Sequence, residues 1–241
     1  MNSDDRSTRI AVAFAREAAR SPEARLCSVC VDVLEVAGAG ITIMGGVGKG
    51  GPVCVSSPGV AALEDLQFTI GEGPCQDAFR SNAPVHAPRL DNGASMRWPS
   101  FVDRAQASGV GAVFAYPLST PGAKVGVLTL YQQDEGELSA SQHDDSMAMV
   151  GVLTETVLSL QDAAPSGTLA PDLDDAVAYR AEIYQASGMV AVQLQVPVAD
   201  ALVRIRAHAF VAGRPVGAVA ADIVARRLRL TNDRDEPREG R

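Results

Sequence analysis

Lysine is nearly absent from this chain: Lys49 and Lys124 are its only two, and the other 19 of its 21 basic side chains are arginines. No apolar run approaches the 18 residues that a single membrane-crossing helix requires. The three histidines, His86, His143 and His208, have no serine or cysteine beside them in a nucleophile motif, which argues against nucleophilic catalysis. The four cysteines (Cys27, Cys30, Cys54, Cys75) show no disulfide-framework spacing. Cys27-x-x-Cys30 stands without a second pair or a nearby histidine to complete a zinc site. The expectation is four buried thiols and no metal. Repeats and low-complexity segments are missing as well. The opening stretch MNSDDRSTRIAVAFAREAAR puts acidic residues ahead of a short amphipathic segment, unlike a signal or transit peptide, so the expected location is the cytoplasm.

What remains is an ordinary globular composition, 46% hydrophobic and 21% charged over 241 residues. Its charge is unevenly spread. Residues 1–171 hold 11 Lys+Arg against 19 Asp+Glu, a net −8, whereas residues 172–230 hold 7 against 6, a net +1. An acidic first part repels nucleic acid, while Arg204, Arg206, Arg214, Arg226, Arg227 and Arg229 could face a polyanion locally. The stretch QDAAPSGTLAPD (161–172), rich in proline, glycine and small residues, reads as a linker between two domains.

The first part alternates helix and strand signals. Helical spacing runs through Ile10, Phe14 and Ala18, then through Leu26, Val29, Val33 and Leu34, with Gly38 and Gly40 expected to end the second helix. AGITIMGG and GPVCVSS, separated by GVGKG, predict a hairpin. Further strands are expected in APVHA, GAVFAYPLS and KVGVLTLYQ, with a helix near Leu63, another over 98–107, and a last one over 139–160 capped by Ser139 or Ser141. This pattern predicts an α+β domain with helices packed on an antiparallel sheet.

The runs GEGPCQDAF (71–79), WPSF (98–101), AVFAYPL (112–118) and VGVLTLY (125–131) resemble the GAF domains found ahead of RNA-binding output modules in actinobacterial regulators. The resemblance covers residues 10–161 and implies a sensor fold with a concave face for a small ligand. Gly71, Gly73 and Pro74 would bring a turn close to the sheet, and Pro74 could start a short helix whose free N–H groups suit an anion. The Asn-Lys-x-x-x-Phe pattern of cyclic-nucleotide-binding relatives is missing. Cys75 lies in the wrong context for tetrapyrrole attachment. The ligand and any cofactor are therefore unassigned.

The second part reads as three helices. Tyr179, Ile183, Ala186, Val190 and Leu194 form one stripe; Val198, Ala201, Leu202, Ile205 and Ala209 a second after Pro197; Val216, Val219, Ala220, Ile223, Val224 and Arg227 a third after Pro215. Gly188 interrupts the first helix at its centre, at a cost of about 1 kcal/mol relative to alanine. Such a glycine points to close approach by another helix or by a ligand.

The runs EIYQASGMVAVQL, ADALVRIRAHAF and VAADIVARRL resemble the ANTAR domain, a three-helix RNA-binding antitermination module, over residues 172–230. The resemblance singles out Ala186, Gly188, Met189, Ala201, Arg206, Ala209 and Ala220 as RNA-binding positions. Small side chains would let an RNA loop approach, and Arg206 could pair with phosphate or stack on an unpaired base. The alternative for Ala186, Gly188 and Ala209 is close helix crossing.

The expected architecture is thus α+β, with a GAF-like sensor domain over 10–161, a linker over 162–171 and an all-α ANTAR-like domain over 172–230. The expected function is signal-responsive RNA binding, with transcription antitermination on nascent mRNA hairpins by a homodimer. The alternative is a ligand-sensing dimerisation or protein-interaction module without direct RNA contact. An enzyme centred on Cys75 or on His143, Asp144 and Asp145 is disfavoured, because carboxylates at a helix start are expected from the helix dipole alone.

Overall fold

A computed structural model describes residues 3–20, 26–44, 50–162 and 175–231. The linker expected over 162–171 lies outside these apart from Asp162, as do most of the GVGKG turn and the chain beyond residue 231. The chain divides into two compact units, Met1–Val177 and Ala178–Arg241.

The first unit is α+β. Helices α1 (Ser3–Arg20) and α2 (Leu26–Leu34) precede strands β1 (Gly38–Met44) and β2 (Gly50–Val55). Helices α3 (Pro58–Ile70) and α4 (Pro74–Ser81), strand β3 (Val85–Ala87), and helices α5 (Asn92–Arg97) and α6 (Pro99–Ala107) follow. Strands β4 (Ala112–Thr120) and β5 (Ala123–Gln132) and helix α7 (Ala140–Asp162) complete it. The strands form one sheet in the order β2-β1-β5-β4-β3, every neighbouring pair antiparallel. Gly38 and Gly40, expected to end α2, instead lie inside β1; the helix stops at Leu34 and Glu35 takes the left-handed conformation with φ 51°.

Strands β4 and β5 are buried on both faces, which is why their sequences read as continuous apolar runs. Ala112, Phe114, Tyr116 and Leu118 of β4, with Leu128 and Leu130 of β5, pack under α1, α2 and α7 through Ile10, Leu34, Met149 and Leu153. The alternate residues Val113, Ala115, Val127 and Tyr131 face Leu63 of α3, Ala78 of α4 and Phe101 of α6. The sheet is therefore the middle of three layers. Gly126 of β5 lets the strands meet, since a Cβ there would lie 2.3 Å from the Thr42 carbonyl oxygen.

Local signals set the helix starts. The Ser57 hydroxyl accepts from Val60 N–H ahead of Pro58. Ser139 rather than Ser141 starts α7: its hydroxyl accepts from Gln142 N–H, while the Gln142 side chain accepts from Ser139 N–H, a reciprocal capping arrangement.

The second unit contains α8 (Asp175–Leu194, which begins just ahead of the unit boundary), α9 (Val198–Val211) and α10 (Val216–Val224). Ile183, Ala186, Val190, Ala201, Ile205, Ala209, Val216, Val219 and Ala220 are all fully buried. Pro197 and Pro215 precede α9 and α10, and Gly213 turns the chain between them at φ 61°. No single helix among the described residues is long and apolar enough to cross a membrane.

Candidate functional site

The turn singled out at Gly71 to Pro74 does approach the sheet, but it is closed by the chain's own side chains. Gln67 of α3 accepts from Cys75 N–H through Oε1 at 2.8 Å and donates through Nε2 to the Tyr131 hydroxyl at 3.1 Å. Tyr131 in turn donates to Glu64 Oε1 at 2.7 Å, and Thr42 donates to Glu64 Oε2 at 2.8 Å. Glu64, Gln67, Thr42 and Tyr131 are all buried. Gly73, at φ 127°, has no room for a side chain, because a Cβ would lie 2.5 Å from Gln67 Oε1. Pro74 does begin a helix, as expected, yet the Cys75 N–H at its start is already engaged, so the anion site anticipated there is corrected to an internal hydrogen-bond network. Burial, with the Glu64 carboxylate beside it, pushes the Tyr131 phenol well above its ordinary pKa.

His143, Asp144 and Asp145 are structural in their contacts. Arg6 of α1 reaches Asp144 at 3.0 Å and Asp145 at 2.7 Å, and Arg9 reaches Asp145 at 2.7 Å. Burial raises the Asp145 pKa, but hydrogen bonds from both arginines outweigh it and hold the carboxyl below its usual range. These pairs fasten α1 to the start of α7. A cleft of about 480 Å³ opens on the same unit beside His86, Arg89 and Glu137. Its arginines are engaged: Arg89 pairs with Glu135 at 3.1 Å, and Arg97 pairs with Asp77 at 2.7 Å while lying 4.6 Å above the Trp98 ring.

The cysteine expectation fails in part. Cys27 and Cys54 form a disulfide, whereas Cys30 and Cys75 are free and buried. Their spacing hides the pairing because β2 folds back along β1 and brings Cys54 against the α2 layer. Burial pushes the Cys30 thiol up to about 12, so it is inert as a nucleophile.

On the second unit the seven candidate positions separate. Ala186, Ala201, Ala209 and Ala220 are fully buried. A side chain with no exposed surface offers nothing to RNA, so these four are corrected to packing residues. Arg206 is half-buried, and burial lowers its pKa from the ordinary arginine value despite the opposing influence of Tyr184. It is not the exposed arginine that an RNA contact requires. Gly188 and Met189 behave differently. Both are partly exposed and line an open cleft of about 660 Å³ together with Ile223, Arg226, Leu228 and Arg229. A Cβ at Gly188 would meet nothing within 4 Å. Helix crossing among the described residues therefore does not explain the glycine.

In the sequence Arg226 and Arg229 are two members of an arginine cluster, and nothing in the spacing separates them from Arg214 and Arg227. The structure does. Arg214 and Arg227 both bind Asp222, at 2.6 Å and 2.8 Å, and the two contacts hold that carboxyl below its usual pKa range. Arg226 and Arg229 are exposed and make no ion pair among the described residues.

No family model matches the chain, and no curated protein matches it. Similar solved structures include the GAF domain of a phosphoenolpyruvate-protein phosphotransferase from Coxiella burnetii, 12% identical, covering 66% of this chain and 98% of that one at a TM-score of 0.45. The GAF domain of the Acinetobacter phosphoenolpyruvate-protein phosphotransferase is 9% identical, covering 58% of this chain and 82% of that one at 0.45. A phycocyanobilin-bound GAF domain from a cyanobacterial phytochrome is 14% identical, covering 66% and 95% at 0.45.

Proposed function

We propose that this chain is a signal-responsive, non-enzymatic RNA-binding regulator that acts by transcription antitermination on nascent mRNA hairpins. Residues 10–161 serve as a GAF-like sensor and residues 172–230 as an ANTAR-like output domain, in a cytoplasmic homodimer. The observation that carries this reading is that the ANTAR-like runs 182–194 and 199–210 lie within α8 and α9, and the run 219–228 covers the end of α10 and the turn after it, in a unit that is rich in arginine. Residues 178–231 hold seven arginines against three acids, Glu182, Asp200 and Asp222, a net +4. Such a surface attracts phosphate, unlike the acidic first unit. Sequencing of RNA cross-linked to the full chain tests the reading: enriched hairpins support it, and background RNA alone refutes it.

A second reading, a dimerisation or protein-interaction module without RNA, draws on the exposed apolar side chains Val203, Phe210 and Val211 of α9. It is favoured if the same experiment recovers background RNA while the chain self-associates.

A further inference from the structure

We infer that the cleft between α8 and the segment after α10 receives an unstacked nucleotide of an RNA loop, its base against Met189 and Leu228 and its phosphate on Arg226 and Arg229. This rests on the RNA-binding reading and moves its contact surface away from Arg206 and the buried alanines.

Three independent features point to this occupant. The first is the lining. Met189, Ile223 and Leu228 give the cleft an apolar wall; a thioether makes favourable contacts with aromatic rings, and RNA readout works by stacking splayed bases on such surfaces. The volume, about 660 Å³, falls within the range of small-molecule sites.

The second is charge. Asp222 is occupied by Arg214 and Arg227, which leaves Arg226 and Arg229 on the cleft rim with no acidic partner among the described residues. Arg226 holds a left-handed backbone with φ 58° just past α10, a position where glycine is cheaper. The turn is closed by Arg227 N–H and Leu228 N–H, both donating to the Asp222 carbonyl at 2.7 and 3.1 Å. It aims Arg226 and Leu228 at one cleft. Gln193 of α8 donates to the Leu230 carbonyl and ties the far wall in place.

The third is Gly188. It weakens α8 at its centre, although packing among the described residues does not need it, since none of them lies within 4 Å of where its Cβ would stand. A glycine that is unnecessary for packing and faces a cleft permits close approach from outside.

The test uses the full chain and a pool of fluorescent RNA hairpins with randomised loops; the species enriched on the wild type then serve for titration. Arg226→Gln with Arg229→Gln is expected to weaken binding at least tenfold and to flatten the dependence of log K on log salt by about 0.7, the single-strand value for the one phosphate that both arginines hold. Gly188→Leu fills the cleft while retaining a good helix former; it is expected to weaken binding at least tenfold with the salt slope unchanged. Photocross-linking of 4-thiouridine-substituted hairpins to the unaltered chain is expected at residues 188–193 or 226–230, a readout that needs no variant to fold. Binding within twofold of wild type in both variants, or cross-links confined elsewhere, overturns the inference while leaving RNA binding intact. If Gly188→Leu changes only the oligomeric state, the cleft is an interface between copies and the inference fails. A wild type that enriches no hairpin from the pool overturns the RNA-binding reading itself, and this inference with it.

Discussion

Tyr131 of β5 donates its hydroxyl hydrogen to Glu64 of α3 across 2.7 Å, in a place where both side chains are buried. The carboxylate is held by hydroxyl donors, Thr42 supplying the other. Burying such a group is costly unless its acceptors are filled. The bond also joins the sheet to the helix that leads into the Gly71 to Pro74 turn.

Tyr131→Phe removes that donor and strands an acceptor. The first unit is expected to lose about 1–3 kcal/mol, measured by urea unfolding of the full chain followed at the Trp98 fluorescence. An unchanged midpoint would mean that the network contributes nothing to stability.

The Cys27–Cys54 bridge spans a sequence separation of 27, for which the loop-entropy relation gives about 3.5 kcal/mol. Under oxidising conditions Cys54→Ser should therefore melt well below wild type, and adding a reductant should bring the wild type down to the variant. Equal melting of the two proteins without reductant would show that the bridge adds no stability.

His86 sits against Phe114, Tyr116 and His143, at ring distances of 5.5, 5.3 and 5.8 Å. Burial and the His143 charge lower its pKa from 6.5, with Glu137 opposing. The folded chain thus resists a proton that the unfolded chain accepts, so this contribution to stability is full above about pH 6.5 and declines as pH falls below it. His86→Gln should flatten the melting profile just below about pH 6.5. A second decline belongs to Asp145, whose depressed pKa makes its contribution full above 3.8 and lost at lower pH. A His86→Gln profile parallel to wild type just below pH 6.5 would assign the first decline to another group.

Gly188→Ala adds a methyl group where nothing lies within 4 Å. Alanine is the better helix former, so the second unit is expected to gain about 1 kcal/mol, read as a higher melting temperature. Arg206→Ala should act in the opposite direction, losing about 0.5–3 kcal/mol through the packing of a half-buried stem. A stability loss at Gly188→Ala would place a neighbour against that helix face.

Most elements and their order are legible in the chain before it folds; α5 (Asn92–Arg97) is an exception, since the spacing predicts no helix ahead of Trp98. Continuous apolar runs marked β4 and β5, Ser139 and Pro74 marked helix starts, and the three apolar stripes of the second part marked α8, α9 and α10, because these signals act between residues at most a few positions apart. Gly188 was legible as exceptional in the same local way, whereas Met189 was singled out only by the resemblance of its run to the ANTAR domain. Packing settles which cysteines meet, that Gln67 occupies the Cys75 N–H, that Ala186, Ala201, Ala209 and Ala220 are interior, and that Asp222 engages Arg214 and Arg227 while Arg226 and Arg229 stay exposed. Each of these depends on a contact set by how separate elements pack or by where a turn sends the chain. An arginine looks the same in sequence whether a carboxylate eight residues away reaches it or not.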